Sequence, residues 1–234
     1  MKKYGRFITA ALAVMFIFTL AGGAFAEKSH EKRIRLSAAL LREMAAQEDA
    51  LSMADLLRSA KGVAIFPNIL RTGFITGSQK GEGIVFLHND DGTWTGPAFF
   101  GLFEGSIGLQ IGIQQVGLVM VITNENGLHA FTGGNSFKLG ADVGIAAGPT
   151  GRNLSAATDG RAQASIYTYS IAKGLFAGVA VDGAVINQNR DASLAYWGKK
   201  TEAADALKNP ATDARVAAVI SELNALIKKA AEAR

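Results

Sequence analysis

Histidine and cysteine, the residues that most often hold transition metals, are scarce in this chain of 234 residues. The chain has no cysteine, and its three histidines, His30, His88 and His129, stand far apart in the sequence. Zinc sites need ligands grouped at short, recurring spacings, and the H-E-x-x-H pair of zinc proteases does not occur. The sequence therefore predicts no metal site.

Glycine-rich stretches approach known catalytic motifs without completing them. Residues 105–108 (GSIG) are one residue short of the G-x-S-x-G elbow that presents a catalytic serine. Residues 77–83 (GSQKGEG) lack the G-K-[ST] ending of a phosphate-binding P-loop, and we interpret them as a tight turn that exposes Lys80. Residues 89–91 (NDD), followed by Gly92, are typical of a plain turn. We therefore predict a protein that is not an enzyme and needs no cofactor.

Two acidic residues, Asp142 and Asp182, fall within segments that read as strands, on the faces formed by small residues. If those faces converge, the two carboxylates could form a polar site. The alternative is that both are exposed on the outer surface of a sheet, and we favour this exposure over catalysis.

The chain begins with the pattern of a secretory signal peptide, which we assign to residues 1–26. Three basic residues precede an apolar stretch that ends in Ala24-Phe25-Ala26, a small-residue cleavage site. A membrane anchor is the alternative, and the charged segment after Ala26 favours cleavage. The expected location is the periplasm or the cell exterior, with peripheral attachment to a membrane as a further option. Removal of the three basic residues lowers the formal charge from +4 to +1, which gives no support to a nucleic-acid partner.

Helical spacing of apolar residues predicts that residues 27–60 are helical. The residues on one face are Leu36, Leu40, Met44 and Leu51. Residues 52–55 (SMAD) resemble a capping box, which predicts a second short helix that runs to Ala60. Basic residues crowd the start of the first helix, as in helices that lie in a membrane interface; they are Lys28, Lys32, Arg33 and Arg35. The competing interpretation is that the apolar stripe covers a sheet.

Residues 61–200 predict a glycine-rich β domain. Turn signals at residues 89–92 and 124–127 predict two antiparallel hairpins. Glycine recurs on alternate positions of residues 106–114, 140–148 and 174–183, which favours a curled, barrel-like antiparallel sheet. Residues 201–234 return to helix, with Asn209-Pro210 as its expected start. The fold class is therefore α+β, with amphipathic helices on both sides of the sheet in sequence.

Five strings, in this order, resemble the SYLF-domain family of lipid-binding proteins over roughly residues 32–198. They are residues 60–67 (AKGVAIFP), 94–99 (WTGPAF), 108–112 (GLQIG), 148–152 (GPTGR) and 169–178 (YSIAKGLFAG). The resemblance implies phospholipid binding. Eukaryotic members bind phosphoinositides, partly through an amphipathic helix at the start of the domain, and some fungal members also bind actin. Bacterial members resemble small exported proteins with this domain alone.

The predicted partner is a phospholipid membrane with anionic headgroups. Five basic residues next to glycine or turns are candidates for headgroup contact; they are Lys61, Arg71, Lys80, Arg152 and Lys173. From the first helix we add Lys32, Arg33, Arg35, Leu36 and Leu40. An outer-membrane β-barrel is an alternative, opposed by the helices at both ends, and a hydrolase of lipid or glycan is a weaker one without a motif.

Overall fold

The computed structural model describes residues 28–47, 50–73, 76–107, 112–149, 164–172, 175–178 and 181–233. The expected signal peptide and the candidate residues Arg152 and Lys173 lie outside the described residues. The helices are α1 (Ser29–Ala45), α2 (Ala50–Arg58), α3 (Glu125–Thr132), α4 (Arg190–Trp197), α5 (Ala203–Ala206) and α6 (Ala217–Glu232). The strands are β1 (Gly62–Gly73), β2 (Thr76–His88), β3 (Trp94–Ile107), β4 (Gly112–Ile122), β5 (Ser136–Lys138), β6 (Ile145–Ala147), β7 (Ile166–Ala172), β8 (Leu175–Gly178) and β9 (Val185–Gln188).

The strands form one curled sheet in the order β5-β9-β3-β2-β1-β4-β7-β6, with β8 also paired to β7. All pairs are antiparallel except β6 with β7. The sheet curls into a half-barrel, and the prediction of an α+β fold with a curled, mostly antiparallel sheet is confirmed. Among the described residues, no helix combines the length and apolar character needed to cross a membrane.

The sheet separates two apolar cores because successive side chains along a strand point to opposite faces. On the face covered by α1, α2 and α6, called the helix face below, Phe86 and Phe99 pack with Leu41 and Leu223. On the opposite face, the larger buried side chains are Phe66, Ile69, Phe100, Leu118 and Phe131. Of the predicted apolar stripe, Leu40 and Met44 are buried under α1, whereas Leu36 is half-buried and Leu51 belongs to α2; α6 packs mainly on α1 and α2.

The hairpin at residues 89–92 is confirmed. The amide of Asn89 donates to the carbonyl of Thr93 at 2.8 Å, and β2 and β3 pair on either side of the turn. An oxygen of Asp91 accepts from the amide and the hydroxyl of Thr93 at 2.9 and 2.6 Å, which stabilises the turn. The carboxylate of Asp91 thus has the role of a plain turn residue.

The second predicted hairpin, at residues 124–127, is wrong. The chain forms helix α3 there, and the side chain of Asn124 caps it by accepting from the amide of Gly127 at 3.1 Å. Asparagine and glycine at this spacing suit either a turn or a helix N-terminus. Glycine is needed at position 127 of this helix, because a Cβ there would lie 2.6 Å from the carbonyl oxygen of Ser165.

The three glycine-alternating segments are not single strands. Residues 106–114 include the end of β3 and the start of β4, which flank the β1–β2 hairpin on opposite sides. Asp142 and Asp182, predicted to lie in mid-strand, are instead exposed in turns. The carboxylate of Asp142 accepts from the amide of Lys138 at 2.7 Å, so it stabilises its own turn.

Residues 77–83 belong to β2 and do not form the tight turn that we predicted, although Lys80 is exposed as expected. Glycine is needed in this strand because other side chains lie against its backbone. A Cβ at Gly83 would approach a ring carbon of Phe66 to 2.6 Å and the carbonyl oxygen of Ile65 to 2.7 Å. Close approach of neighbouring groups therefore explains this glycine, in addition to any role in sheet curvature.

Two predicted helix starts are also wrong. Helix α2 begins at Ala50, and Ser52 lies inside it, where its hydroxyl donates to the carbonyl of Pro149 at 2.6 Å. Pro210 is not the first residue of a helix but bridges Thr95 at the start of β3, and α6 begins only at Ala217. In both cases a long-range hydrogen bond or strand contact replaces the local cap.

Candidate functional site

An exposed row of side chains crosses the sheet on the helix face, beyond the part that the helices cover. The cross-strand register aligns Leu70 of β1 with Lys80 of β2, Lys80 with Phe103 of β3, and Phe103 with Val185 of β9. The relative exposures of Leu70, Phe103 and Val185 are 41%, 52% and 37%. Three of the four exposed large apolar side chains in the described residues therefore lie in one row.

The exposed row continues to Gln115 of β4 at one end and to Lys138 of β5 at the other. Because neighbouring strands lie ~4.8 Å apart, these six positions span roughly 24 Å. Gln115 also lines a groove of about 320 Å³ between α1 and strands β1 and β4, whose wall includes the half-buried Leu36. The row and this groove form one continuous surface.

The charge on the exposed row is positive. Within the described part of the chain, neither Lys80 nor Lys138 lies within ion-pair distance of a carboxylate. The acidic group next to Lys80 on this face is Glu82, and Arg33 of α1 neutralises it through an ion pair of 2.7 Å. Within the described residues, the surface thus combines exposed apolar side chains with two ammonium groups that make no ion pair, while the adjoining groove also contains the exposed carboxylate of Glu43.

Helix α1 splits the basic residues that the sequence had grouped at its start. Arg33 is only 3% exposed: besides the ion pair with Glu82, its guanidinium lies 5.5 Å from the ring centre of Phe99. Burial lowers the pKa of Arg33, and the carboxylate of Glu82 opposes that shift. Arg33 therefore anchors α1 to β2 and is buried, unlike the exposed lysines of the row.

The other candidates on α1 have different surroundings. Lys32 is exposed one helical turn before the groove residue Leu36, so the two lie on the same side of α1. Arg35 is exposed on the outer side of the helix. Leu40 is buried, and its side chain occupies the space where a Cβ of Gly117 would stand. Leu40 thus holds α1 on the sheet, as the competing interpretation of the apolar stripe proposed.

Arg71 lies on the opposite face of the sheet from Lys80, within a polar chain. Its Nε donates to the side-chain oxygen of Gln79 at 2.7 Å, and the amide of Gln79 donates to Glu104 at 2.9 Å. Burial raises the pKa of Glu104, and the nearby Arg71 opposes this while Asp182 adds to it. The structure therefore does not bring Arg71 together with Lys80.

Lys61 lies in a separate cleft of about 540 Å³ between α2, α6 and the β2–β3 turn. Its ammonium lies 3.4 Å from Asp90 and 3.6 Å from Glu125. Arg58 and Lys228, which the sequence did not single out as candidates, line the same cleft. We call this space the Lys61 cleft.

Sequence reasoning missed the apolar members of the exposed row. Residues 98–100 of β3 are buried on both faces, so no alternation of apolar and polar residues marks the exposed Phe103 further along the strand. Leu70 follows a bulge between Ile65 and Asn68 that shifts its register with both neighbouring strands. Only the pairing of the strands brings Leu70, Phe103 and Val185 into one row.

Comparison with known proteins gives a consistent family assignment. A family model described as "Ysc84: Las17-binding protein actin regulator" matches residues 103–230, more than half of the chain. The LAS seventeen-binding protein 3 of Saccharomyces cerevisiae is 34% identical over 146 residues, covering 62% of this chain and 32% of that protein. The human SH3 domain-containing YSC84-like protein 1 is 31% identical over 159 residues, covering 68% of this chain and 46% of that protein.

The chain spans about a third to a half of the length of these relatives. The family and the relatives are named for binding and regulation, not for catalysis. A third relative, Protein YSC84 of Saccharomyces cerevisiae, is 32% identical over 145 residues, covering 61% of this chain and 31% of that protein. All three relatives agree with the family resemblance that the five sequence strings indicated.

Proposed function

The chain belongs to the Ysc84 family, as its SYLF-like motifs predicted, and we propose that it binds anionic phospholipid membranes through the exposed row. The single observation that carries this proposal is the alignment of three exposed apolar side chains with Lys80, which makes no ion pair with any described residue. Apolar side chains can enter the boundary between headgroups and acyl chains, while the long stem of a lysine lets its ammonium remain at headgroup level.

The electrostatics and the shape of the surface support the same function. Lys80 and Lys138 lie in the row, and Lys32 lies on the side of α1 that carries the groove residue Leu36, so we infer that three ammonium groups face the same membrane. Each basic residue near an anionic surface contributes about 1 kcal/mol, so three or four suffice for measurable attraction. The groove beside Leu36 extends the apolar contact area.

The signal-peptide pattern of residues 1–26 predicts that the protein meets this membrane after export. N-terminal sequencing of the exported protein tests this prediction.

Vesicle flotation tests the proposal. The protein should float with vesicles of phosphatidylcholine and phosphatidylglycerol more than with phosphatidylcholine alone. Lys80→Glu should weaken the binding to the anionic vesicles by about tenfold or more, since it replaces an attractive charge by a repulsive one. The loss should be larger at 0.1 M than at 1 M salt, because the Debye length falls from about 10 Å to about 3 Å.

Lys199→Glu is the matched control. Lys199 is exposed just after α4, outside the exposed row, and its replacement changes the net charge by the same amount. If Lys80→Glu and Lys199→Glu weaken flotation equally, only net charge matters and the role of the row is rejected. If the unaltered protein does not prefer anionic vesicles, the proposed function itself is rejected.

A further inference from the structure

The Lys61 cleft collects positively charged groups from three separate elements. Arg58 ends α2, Lys61 precedes β1, and Lys228 comes from α6. The cleft volume of about 540 Å³ lies within the usual range of ligand sites, about 300–1,000 Å³. Its lining includes one carboxylate, that of Asp90. Convergence of three cations on a concave surface favours an anionic ligand.

The ion pairs that these lysines already make are weak enough to exchange. Lys61 lies 3.4 Å from Asp90, whose side chain is almost fully exposed, and 3.6 Å from an exposed Glu125. The ammonium of Lys228 lies 3.7 Å from Glu232, and both groups are exposed. Exposed ion pairs contribute only about 0–1 kcal/mol, so a doubly charged ligand that touches several cations can compete with them.

A neutral donor in the cleft has a fixed orientation. The indole N–H of the buried Trp94 donates to the side-chain oxygen of Asn224 at 2.9 Å. This bond fixes the amide, so its NH₂ group points away from Trp94, and Asn224 lines the cleft. The imidazole of His88, another lining group, stacks on Trp94 with ring centres 4.4 Å apart. Trp94 therefore contacts both Asn224 and His88 and helps to fix their orientation in the cleft.

We propose that the Lys61 cleft binds a phosphomonoester, a compact dianion that Arg58, Lys61 and Lys228 neutralise and that the amide of Asn224 orients. A phosphomonoester carries a charge of about −1.5 to −2 near neutral pH and three strong acceptor oxygens, which match several cations and one amide donor. The site is separate from the exposed row, so it adds to the proposed function without depending on it. The phosphate can be free or can belong to a lipid headgroup.

Titration with inorganic phosphate at constant ionic strength tests the site by nuclear magnetic resonance. The chain has two tryptophans, and the indole N–H signal of Trp94 should shift on binding because Trp94 contacts Asn224 and His88. Trp197 donates to the carbonyl of Pro97 elsewhere, so its signal is the internal reference. Lys61→Gln combined with Lys228→Gln should weaken phosphate binding by about tenfold or more.

The control is Lys199→Gln combined with Lys208→Gln, which removes the same charge from exposed positions outside the cleft. Equal phosphate affinity in the two double variants, or no shift of the Trp94 signal in the unaltered protein, would overturn the proposal.

Binding to vesicles with phosphatidic acid or phosphatidylglycerol at matched charge then shows whether the phosphate belongs to a lipid headgroup or to a soluble molecule. If the unaltered protein prefers phosphatidic acid and the double cleft variant loses this preference, the ligand of the cleft is a lipid headgroup. If the double cleft variant keeps the preference, the ligand of the cleft is a soluble phosphomonoester. Failure to bind phosphatidylglycerol vesicles would reject the role of the exposed row and leave this site intact.

Discussion

Replacement of both Leu70 and Phe103 by serine should weaken binding to anionic vesicles by roughly 30-fold. Full burial of a leucine or phenylalanine side chain is worth about 1.5–3 kcal/mol. The two side chains are about half exposed, so their transfer into a membrane interface would contribute about 2 kcal/mol together. Flotation or sedimentation with phosphatidylglycerol-containing vesicles measures the change. Because the other half of each side chain is buried against the sheet, the free energy of unfolding should also fall, by about 2 kcal/mol, so circular dichroism must first show that the variant is folded.

Leu194→Ser is the matched control for this pair. Leu194 of α4 is 44% exposed, similar to Leu70 and Phe103, but it lies outside the exposed row. Its replacement should leave vesicle binding unchanged. A similar loss in Leu194→Ser would mean that exposed apolar area in general, and not the row, determines binding. No loss in the double variant would contradict the proposed surface.

Gly83→Ala should lower the free energy of unfolding by about 1–3 kcal/mol, the usual cost of overpacking a core. The added methyl group would stand 2.6 Å from the ring of Phe66 and 2.7 Å from the carbonyl oxygen of Ile65. The strand backbone cannot move away from β1 without breaking the pairing of Ile65 with Ile84. Urea unfolding followed by circular dichroism measures the effect.

Gly105→Ala provides the comparison within the same sheet. Gly105 of β3 pairs with Ser78 of β2, and a Cβ at this position meets no atom within 4 Å. Its replacement should change the free energy of unfolding by no more than about 0.5 kcal/mol. Equal effects of the two substitutions would show that glycine in these strands reflects chain flexibility and not the packing of Phe66 over β2.

The sequence contained much of the information on the helices. Helical spacing placed Leu40 and Met44 on one face, and both are buried, although the stripe was predicted for membrane contact and its first member, Leu36, is only half-buried. The same rule could have separated Arg33 from Lys32. Arg33 precedes Leu40 by seven residues, which places both on one face of α1, and the structure buries both.

The functional surface could not be predicted in the same way. Lys80 was identified from the sequence, but its apolar neighbours depend on the register between strands that are distant in the chain. Val185 pairs with Phe103 although the two are 82 positions apart in the sequence, and no local pattern encodes that pairing. Residues 124–127 show the same limit, because asparagine and glycine at this spacing suit either a hairpin turn or a helix N-terminus, and the chain forms helix α3 there.

The most direct test of the central claim is the environment of position 103 on membrane binding. The chain has no cysteine, so Phe103→Cys and Leu194→Cys can each carry a single environment-sensitive fluorophore. With phosphatidylglycerol-containing vesicles, the label at position 103 should shift its emission to shorter wavelength as it enters an apolar medium, and the label at position 194 should not. A label at position 103 that stays in water while the protein floats with the vesicles would contradict the account.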